Sequence, residues 1–557
     1  PGAKIEGPAL LASKTSTTWV APGWQANLGH ELNVILDLKK ASAGINEIHE
    51  TVALELFTNR FRGIAEEMGA LLMRTAFSVN IKERLDFSCA LLDPKGELVV
   101  NAPHIPVHLG GLGLCVRKVL EALPRGPDDV AVTNHPGFGG SHLPDITLIA
   151  PVFEGKKLLG YVANRAHHAE LGGKRPGSMP PDAKNLAEEG VLISPLLLIQ
   201  RGEARWPAIE KVLTAHSYPT RAVAENMADL NAALSSIKAG QNALLSLCQK
   251  EGAEKVLHYM QRLKDYSNEK LWVQLQKLPG NEFEAAEKLD DGSPLKVKLQ
   301  RANDKLIVDF TGSSKVHPGN LNATPAIVRS AVIYVLRLLI SEDIPLNEGI
   351  MKQVEIILPE GLHNPPFPAD SSKCPAVVGG NTEVSQRLVD TLIKALKLSA
   401  CSQGTMNNLL FGNKSFGYYE TICGGTGAGP GFNGADAIHH HMTNTRITDP
   451  EIMEWRYPVR VEEFSIRKGS GGLGIWKGGD GIVRKLRFNE PVELTLLTQH
   501  RVEAPYGMEG GRSGATGKQH VEKSTGEVIE LKGVDEMDLQ AGDAIVIETP
   551  GGGGWGS

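Results

Sequence analysis

Aromatic residues are scarce in this chain: Phe, Trp and Tyr together make up 5% of its 557 residues. Stacking platforms for nucleic-acid bases are therefore not expected. A formal net charge of −6 leaves no basic footprint for DNA, RNA or an anionic membrane. Cysteine is sparse too. The six thiols (Cys89, Cys115, Cys248, Cys374, Cys401, Cys423) stand far apart with no C-x-x-C pair. That argues against a zinc ribbon or a disulfide framework and fits a reduced, cytoplasmic setting. No run of about 18 apolar residues is present, and the N-terminal stretch lacks the charged, apolar, small-residue order of a secretory signal. It also lacks an initiator Met, so a processed or partial polypeptide is expected. The spacing of Gly424, Gly425, Gly427 and Gly429 matches neither a P-loop nor a dinucleotide fingerprint, and no Lys-Ser/Thr pair follows them.

What is present is ordinary for a globular enzyme: 41% hydrophobic and 22% charged residues. The length is too great for one simple core, so two or more domains, or one large interlocked one, are expected. The 61 glycines imply many tight turns and close backbone approaches. An N-terminal helix, a β-hairpin region, a central helical segment and a β-rich C-terminal part follow one another, so the expected fold class is mixed α+β.

The chemistry concentrates in residues 133–181, where His135, His142, His167, His168 and Asp145 sit among glycine-rich turns, with His108 on the approach. Residues 146–153 (ITLIAPVF) and 158–166 (LLGYVANRA) are apolar, β-branched-rich runs joined by the short polar loop 154–157, the pattern of an antiparallel hairpin. Folding that hairpin brings Asp145 opposite residues 165–167, and His142 can reach the same point from the loop. Two imidazoles and one carboxylate suit a divalent ion such as Zn²⁺ or Mn²⁺ with positions left open for water or substrate. Successive side chains on a strand point to opposite faces. Only one of His167 and His168 can therefore join, and a one-residue change in register exchanges them.

Elsewhere, residues 1–41 read as short strands and turns, the trailing part of a preceding domain. Residues 45–76 carry a helical apolar period and predict a buried helix. Arg84 and Asp86 lead into a hairpin turned at 93–96. Arg84 is a candidate to grip a carboxylate, with a salt bridge to Asp86 or Glu83 as the plain alternative. Residues 101–113, with His104 and His108, read as a loop before a helix over 114–123. Residues 222–249 and 252–278 predict amphipathic helices, making 181–278 mainly helical. Gly379-Gly380-Asn381 marks a glycine turn at a helix N-terminus, read first as a plain helix cap and otherwise as a place where free N–H groups would attract an anion. Residues 400–408, 418–432 and 439–449 are polar, glycine- or histidine-rich turns, and 457–557 reads as β throughout.

At SHLPDITLIAPVF, RAHHAELGGKRPGSMP, VVGGNTEVSQRLVD, YYETICGGTGAG and HHHMTNTRITDPEIMEWRYPVR the chain resembles the hydantoinase B/5-oxoprolinase family. The likeness runs from about residue 45 to the C-terminus, marking 42–557 as the hydantoinase B-like region, and residues 1–41 resemble the end of the A-type, ATP-using half of the same family. The resemblance implies ATP-dependent opening of 5-oxo-L-proline to L-glutamate, with ATP and Mg²⁺ on the A-type partner half and hydrolysis on this portion. The alternatives are a hydantoin hydrolase subunit and the α-type subunit of an acetone-like carboxylase. It further implies a divalent metal (Mn²⁺ or Zn²⁺) on His142, Asp145 and His167, with His168 in reserve, and a catalytic set of Asp145, His168 and Arg84. The expected partners are a small cyclic amide and the A-type half, in an oligomer. His135 departs from the shorter acidic residue of many relatives, leaving open whether it is an extra ligand or a loop residue.

Overall fold

The computed structural model describes residues 2–31, 33–39, 50–102, 105–123 and 126–557. The chain divides into two compact units, Pro1–Asn59 and Arg60–Ser557. In the first, Lys4–Glu6, Trp24–Leu28 and Val34–Leu38 form a three-stranded sheet and Ala9–Ala12 pairs with Thr17–Val20. The predicted helix over 45–76 is described from Glu50 to Thr75, and its expected start at Ile45 lies outside the described residues.

The fold is mixed α+β. The second unit is built on a seven-stranded sheet in the order Glu203–Ala204, Leu196–Gln200, Val130–Thr133, Asp145–Glu154, Lys157–His167, Phe87–Leu92, Leu98–Asn101. Each neighbouring pair is antiparallel. Residues 181–278 therefore give two strands to this sheet besides the helices Val223–Glu251 and Ala253–Lys277. The predicted 154–157 loop tightens to a two-residue turn, with Gly155 at φ +60° between the paired Glu154 and Lys157.

The two faces of the hairpin are covered by different helices, because side chains alternate along a strand. Ile149, Tyr161 and Ala163 pack on Leu112, Cys115, Val116 and Val119 of the helix Pro106–Ala122. On the opposite face Asn164 Nδ2 donates to the Ala233 carbonyl of the Val223–Glu251 helix at 2.8 Å.

The Pro106–Ala122 helix corrects the expected loop over 101–113. Pro106 at its first turn starts it eight residues before the predicted Leu114, since proline's fixed φ suits that position. The glycines that read as loop formers serve close packing instead. A Cβ on Gly110 would stand 2.6 Å from the Ser330 backbone of the Pro325–Leu338 helix. His108 is thereby carried on the first turn of a buried helix, while His104 lies outside the described residues.

The C-terminal part is β-rich and shares a sheet with earlier strands. Val492–Leu497 and Val534–Leu539 share a sheet with Asn408–Gly412 and Gly417–Glu420. A five-stranded sheet takes Val459–Arg467, Gly481–Phe488, Ala544–Glu548, Lys518–Glu522 and Val528–Glu530. Among the described residues no helix is long and apolar enough to cross a membrane.

Candidate metal centre

Hairpin register decides which imidazole meets Asp145. From the turn the pairing runs Glu154 to Lys157 and Phe153 to Leu158; it then slips by one residue at a bulge, so that Val152 faces Gly160. The slip carries on to the open end, where His167 lies directly opposite Asp145. Without the bulge Ala166 would take that place and His168 would share Asp145's face. Gly160 makes the bulge affordable to the backbone: its φ is +155°, and a Cβ there would lie 2.4 Å from the Leu92 carbonyl oxygen.

Four buried side chains converge on the face covered by the Pro106–Ala122 helix. Asp145 Oδ2 lies 3.0 Å from His142 Nδ1 and 3.1 Å from His108 Nε2, and Oδ1 lies 3.4 Å from His167 Nδ1. His142, three residues before Asp145, reaches in from a loop that Asn134 pins by donating to the carbonyls of Leu143 (2.7 Å) and Val191 (2.9 Å). Ser141 donates its hydroxyl to Asp145. His108 is braced from behind by Ser88 Oγ, 3.1 Å from Nδ1. Asp86 approaches His167 Nδ1 at 3.9 Å.

Burial acts to raise the Asp145 carboxyl pKa, but the imidazoles of His142 and His108 beside it overcome this and hold it well below the usual carboxylate range. Burial pushes the His167 imidazole below its ordinary value, against the opposing pull of Asp86 and Asp145. An ionised carboxylate beside a neutral imidazole is the protonation state a metal ligand set requires.

His142, Asp145 and His167 each offer a ligand atom within 4.8 Å of the others, and they are the group among the described residues that meets this test. The side chains fit a cation on a second count. Asp145 Oδ1 and His167 Nε2 are buried without a hydrogen-bond partner, a costly arrangement unless another electrophile satisfies them, and His142 Nδ1 has only the Asp145 carboxylate, at 3.0 Å, beside it. The cavity they line has about 20 Å³ open to the centre of a water molecule, room for one ion or one water.

The distant polar turns close this cavity. Asn381, Met406, Tyr419, Thr421, Thr443 and Thr445 line it. Asn381 Nδ2 stands 3.5 Å from His142 Nε2, and the Tyr419 ring stacks on His167 at 4.9 Å between centroids. Asn381 sits in a π-helical turn, Gly380–Val384, a feature that recurs at functional sites. The anion-binding expectation for 379–381 fails on hydrogen-bond accounting: the N–H of Gly379 donates to Asn320 O, and those of Gly380 and Asn381 donate to Val377 O.

Other expected residues stand apart from the ligand set. His168 points to the opposite face of the sheet, where its Nδ1 lies 2.7 Å from Asn226 Oδ1. Arg84 makes no ion pair with Asp86 or Glu83; it donates to the Tyr419 carbonyl at 2.5 Å and to Thr421 Oγ1 at 3.2 Å, with its guanidinium 4.8 Å from the Tyr419 ring centre. It therefore braces the cavity wall. His135 caps a short 3₁₀ turn, accepting from Gly137 N–H at 2.9 Å, and is a loop residue. Sequence reasoning did not place Asp86 or Tyr419 at the site; the signal available for Asp86 was its position at the mouth of a strand that neighbours the hairpin.

An α+β chain with a buried His/Asp/His cluster at the open end of an antiparallel hairpin is the class that fold and site define. A family model, Hydantoinase B/oxoprolinase, matches residues 50–557, and the chain belongs to that family. It is 43% identical to 5-oxoprolinase 1 of Arabidopsis thaliana and 42% identical to 5-oxoprolinase of Saccharomyces cerevisiae, each alignment covering all of this chain and 46% of the relative. The chain thus spans about half the length of these relatives. The crystal structure of ATP-dependent caprolactamase from Pseudomonas jessenii shares the fold, with a TM-score of 0.83 over 92% of each chain at 23% identity.

Proposed function

We propose that this chain is the hydrolytic portion of an ATP-dependent 5-oxoprolinase, opening 5-oxo-L-proline to L-glutamate together with an A-type half that uses ATP and Mg²⁺. The observation that carries this reading is the buried, convergent His142, Asp145, His167 set, with Asp145 Oδ1 and His167 Nε2 left without a partner, in a chain 43% identical along its whole length to a 5-oxoprolinase. A lactam is a poor electrophile, so the A-type half would activate the lactam carbonyl oxygen and this portion would complete the hydrolysis.

His142, Asp145 and His167 would hold the divalent ion, Mn²⁺ or Zn²⁺, with Asp86 beside them. Bound there, such an ion polarises a carbonyl oxygen or lowers the pKa of an attacking water. The protein's own groups do the rest. Ser88 holds His108, and His108 with Ser141 fixes the Asp145 carboxylate. Tyr419 covers one side of His167 and limits the entry of bulk water. The Asn381 amide is the neutral donor beside His142 and would hold the lactam carbonyl oxygen as it gains charge.

Residues 1–41 would be the end of the A-type half. Val34, Ile35, Leu36 and Leu38 are 39, 53, 37 and 53% exposed, an apolar strand surface suited to cover by the rest of that half.

The test is a glutamate-release assay on the polypeptide carrying both halves, with ATP and 5-oxoproline, beside elemental analysis. Glutamate formed only with ATP, and about one divalent ion per chain, is the expected result. Ring opening of hydantoin but not of 5-oxoproline, or product only from ketone with bicarbonate, would overturn it.

A further inference from the structure

The metal pocket admits one ion or water, so a cyclic amide needs somewhere else to bind before it arrives. A cavity of about 560 Å³, inside the usual range of roughly 300–1,000 Å³ for small-molecule sites, lies back to back with it. The adjacency is read from consecutive residues. Ile105, Val107 and His108 line the metal pocket while Pro106 lines the larger cavity; Thr443 and Thr445 line the metal pocket while Asn444 lines the larger one. The partition is two chain segments, tied where Val107 N–H donates to the Met442 carbonyl at 3.3 Å.

That partition is fastened to the larger cavity. His441, just before Met442, adopts φ +56°, a strained conformation for a non-glycine residue. Its Nδ1 lies 3.2 Å from the hydroxyl of Tyr334, which lines the cavity, and its Nε2 lies 3.7 Å from the buried Asp390 carboxylate. Asp390 is itself fixed by the Ser402 N–H at 3.0 Å and hydroxyl at 2.9 Å.

The cavity also carries an exchangeable cation. Arg337 is committed, donating to the carbonyls of Ile340, Glu342 and Ile344. Arg62 instead faces Asp343 at 3.7 Å, and that aspartate side chain is 88% exposed. An ion pair of this kind contributes little and is readily exchanged.

We infer that this cavity is the waiting site for a small cyclic amide bearing a carboxylate, that Arg62 takes the carboxylate in place of Asp343, and that the Val107–Met442 partition separates it from the metal pocket. This rests on the proposed hydrolytic function and deepens it: Arg62 becomes the residue that tells 5-oxoproline from an uncharged ring.

The experiment uses the polypeptide carrying both halves. Leu338, 49% exposed and on the cavity wall, is replaced in Leu338→Trp as a fluorescent reporter. A saturable fluorescence change with 5-oxoproline, absent from the parent protein, is expected. Adding Arg62→Gln should weaken 5-oxoproline binding at least fivefold and leave hydantoin, which has no carboxylate, within twofold, with bound metal and melting temperature unchanged. No response to either ring overturns the site, and equal weakening of both rings overturns the role of Arg62. The titration needs no turnover, so failure of glutamate release would count against the function while the cavity is still decided by fluorescence.

Discussion

His167 and His168 are neighbours in sequence and opposites in circumstance. Both are buried and both have imidazoles pushed below the ordinary value by burial. His168 faces the Val223–Glu251 helix, where Asn226 meets its Nδ1 and Asn226 Nδ2 in turn donates to Glu170 O and Thr220 Oγ1, each at 2.8 Å. His167 faces the Pro106–Ala122 helix, with Nε2 unpartnered and Asp145, Asp86 and His142 around it. Burial alone therefore does not mark a ligand. The discriminating property is whether the polar neighbours complete each other's hydrogen bonds or leave a gap that a cation would fill.

The largest effect expected from breaking that contrast is on turnover. Asp145→Asn in the polypeptide carrying both halves should lower glutamate release by about 10³-fold or more, because it removes the charge shared by three imidazoles. Steady-state kinetics with ATP saturating checks this, and a loss under tenfold would remove Asp145 from the chemistry.

Next comes the device that separates the two faces. Gly160→Ala forces a Cβ to within 2.4 Å of Leu92 O unless the bulge shifts, and should cost about 2–4 kcal/mol in urea denaturation while reducing bound metal. A stable variant with full metal content would show that the bulge does not control the register.

Ser88→Ala removes the group that braces His108 behind Asp145. Metal affinity should fall about 10–100-fold, the range for groups that orient a metal's ligands, with the fold intact by circular dichroism. Competition with a chelator measures it.

The smallest expected effect is a pH signature away from the site. Burial pushes the Glu189 carboxyl up to about 8, although the N–H groups of Val377 and Val378 donate to its Oε1. A folded-state pKa above the unfolded one means that the native state binds the extra proton. Its stabilising effect is complete below the unfolded value of about 4.5 and is lost as pH rises through about 8. Glu189→Gln should therefore raise the melting temperature at pH 8 relative to the parent and change it little at pH 5. An equal shift at both pH values would contradict the assignment.

Much of this was legible in the chain. The β-branched runs on either side of Gly155 specified the hairpin, and the i,i+3 spacing of His142 and Asp145 brought both to its open end. The register was not legible, since a one-residue bulge at Gly160 leaves no period of its own. Residues 101–113 misread because glycine serves both turns and helix contacts, and only the partner helix reveals which. Asn381, Met406, Tyr419 and Thr443 come from far along the chain. Their polar, glycine-rich surroundings stood out in the sequence, but the common cavity that unites them is a product of tertiary packing. Arg84 was expected to grip a carboxylate or pair with Asp86 or Glu83, and its actual partners, the Tyr419 carbonyl and Thr421, were not legible because they lie more than 330 residues away in sequence.

The most direct test is elemental analysis of the purified polypeptide and two single variants, His167→Ala and His168→Ala. The parent and His168→Ala should each carry about one divalent ion per chain, and His167→Ala should carry almost none. Metal retained in His167→Ala and lost in His168→Ala would place the ion on the other face of the hairpin and contradict the account.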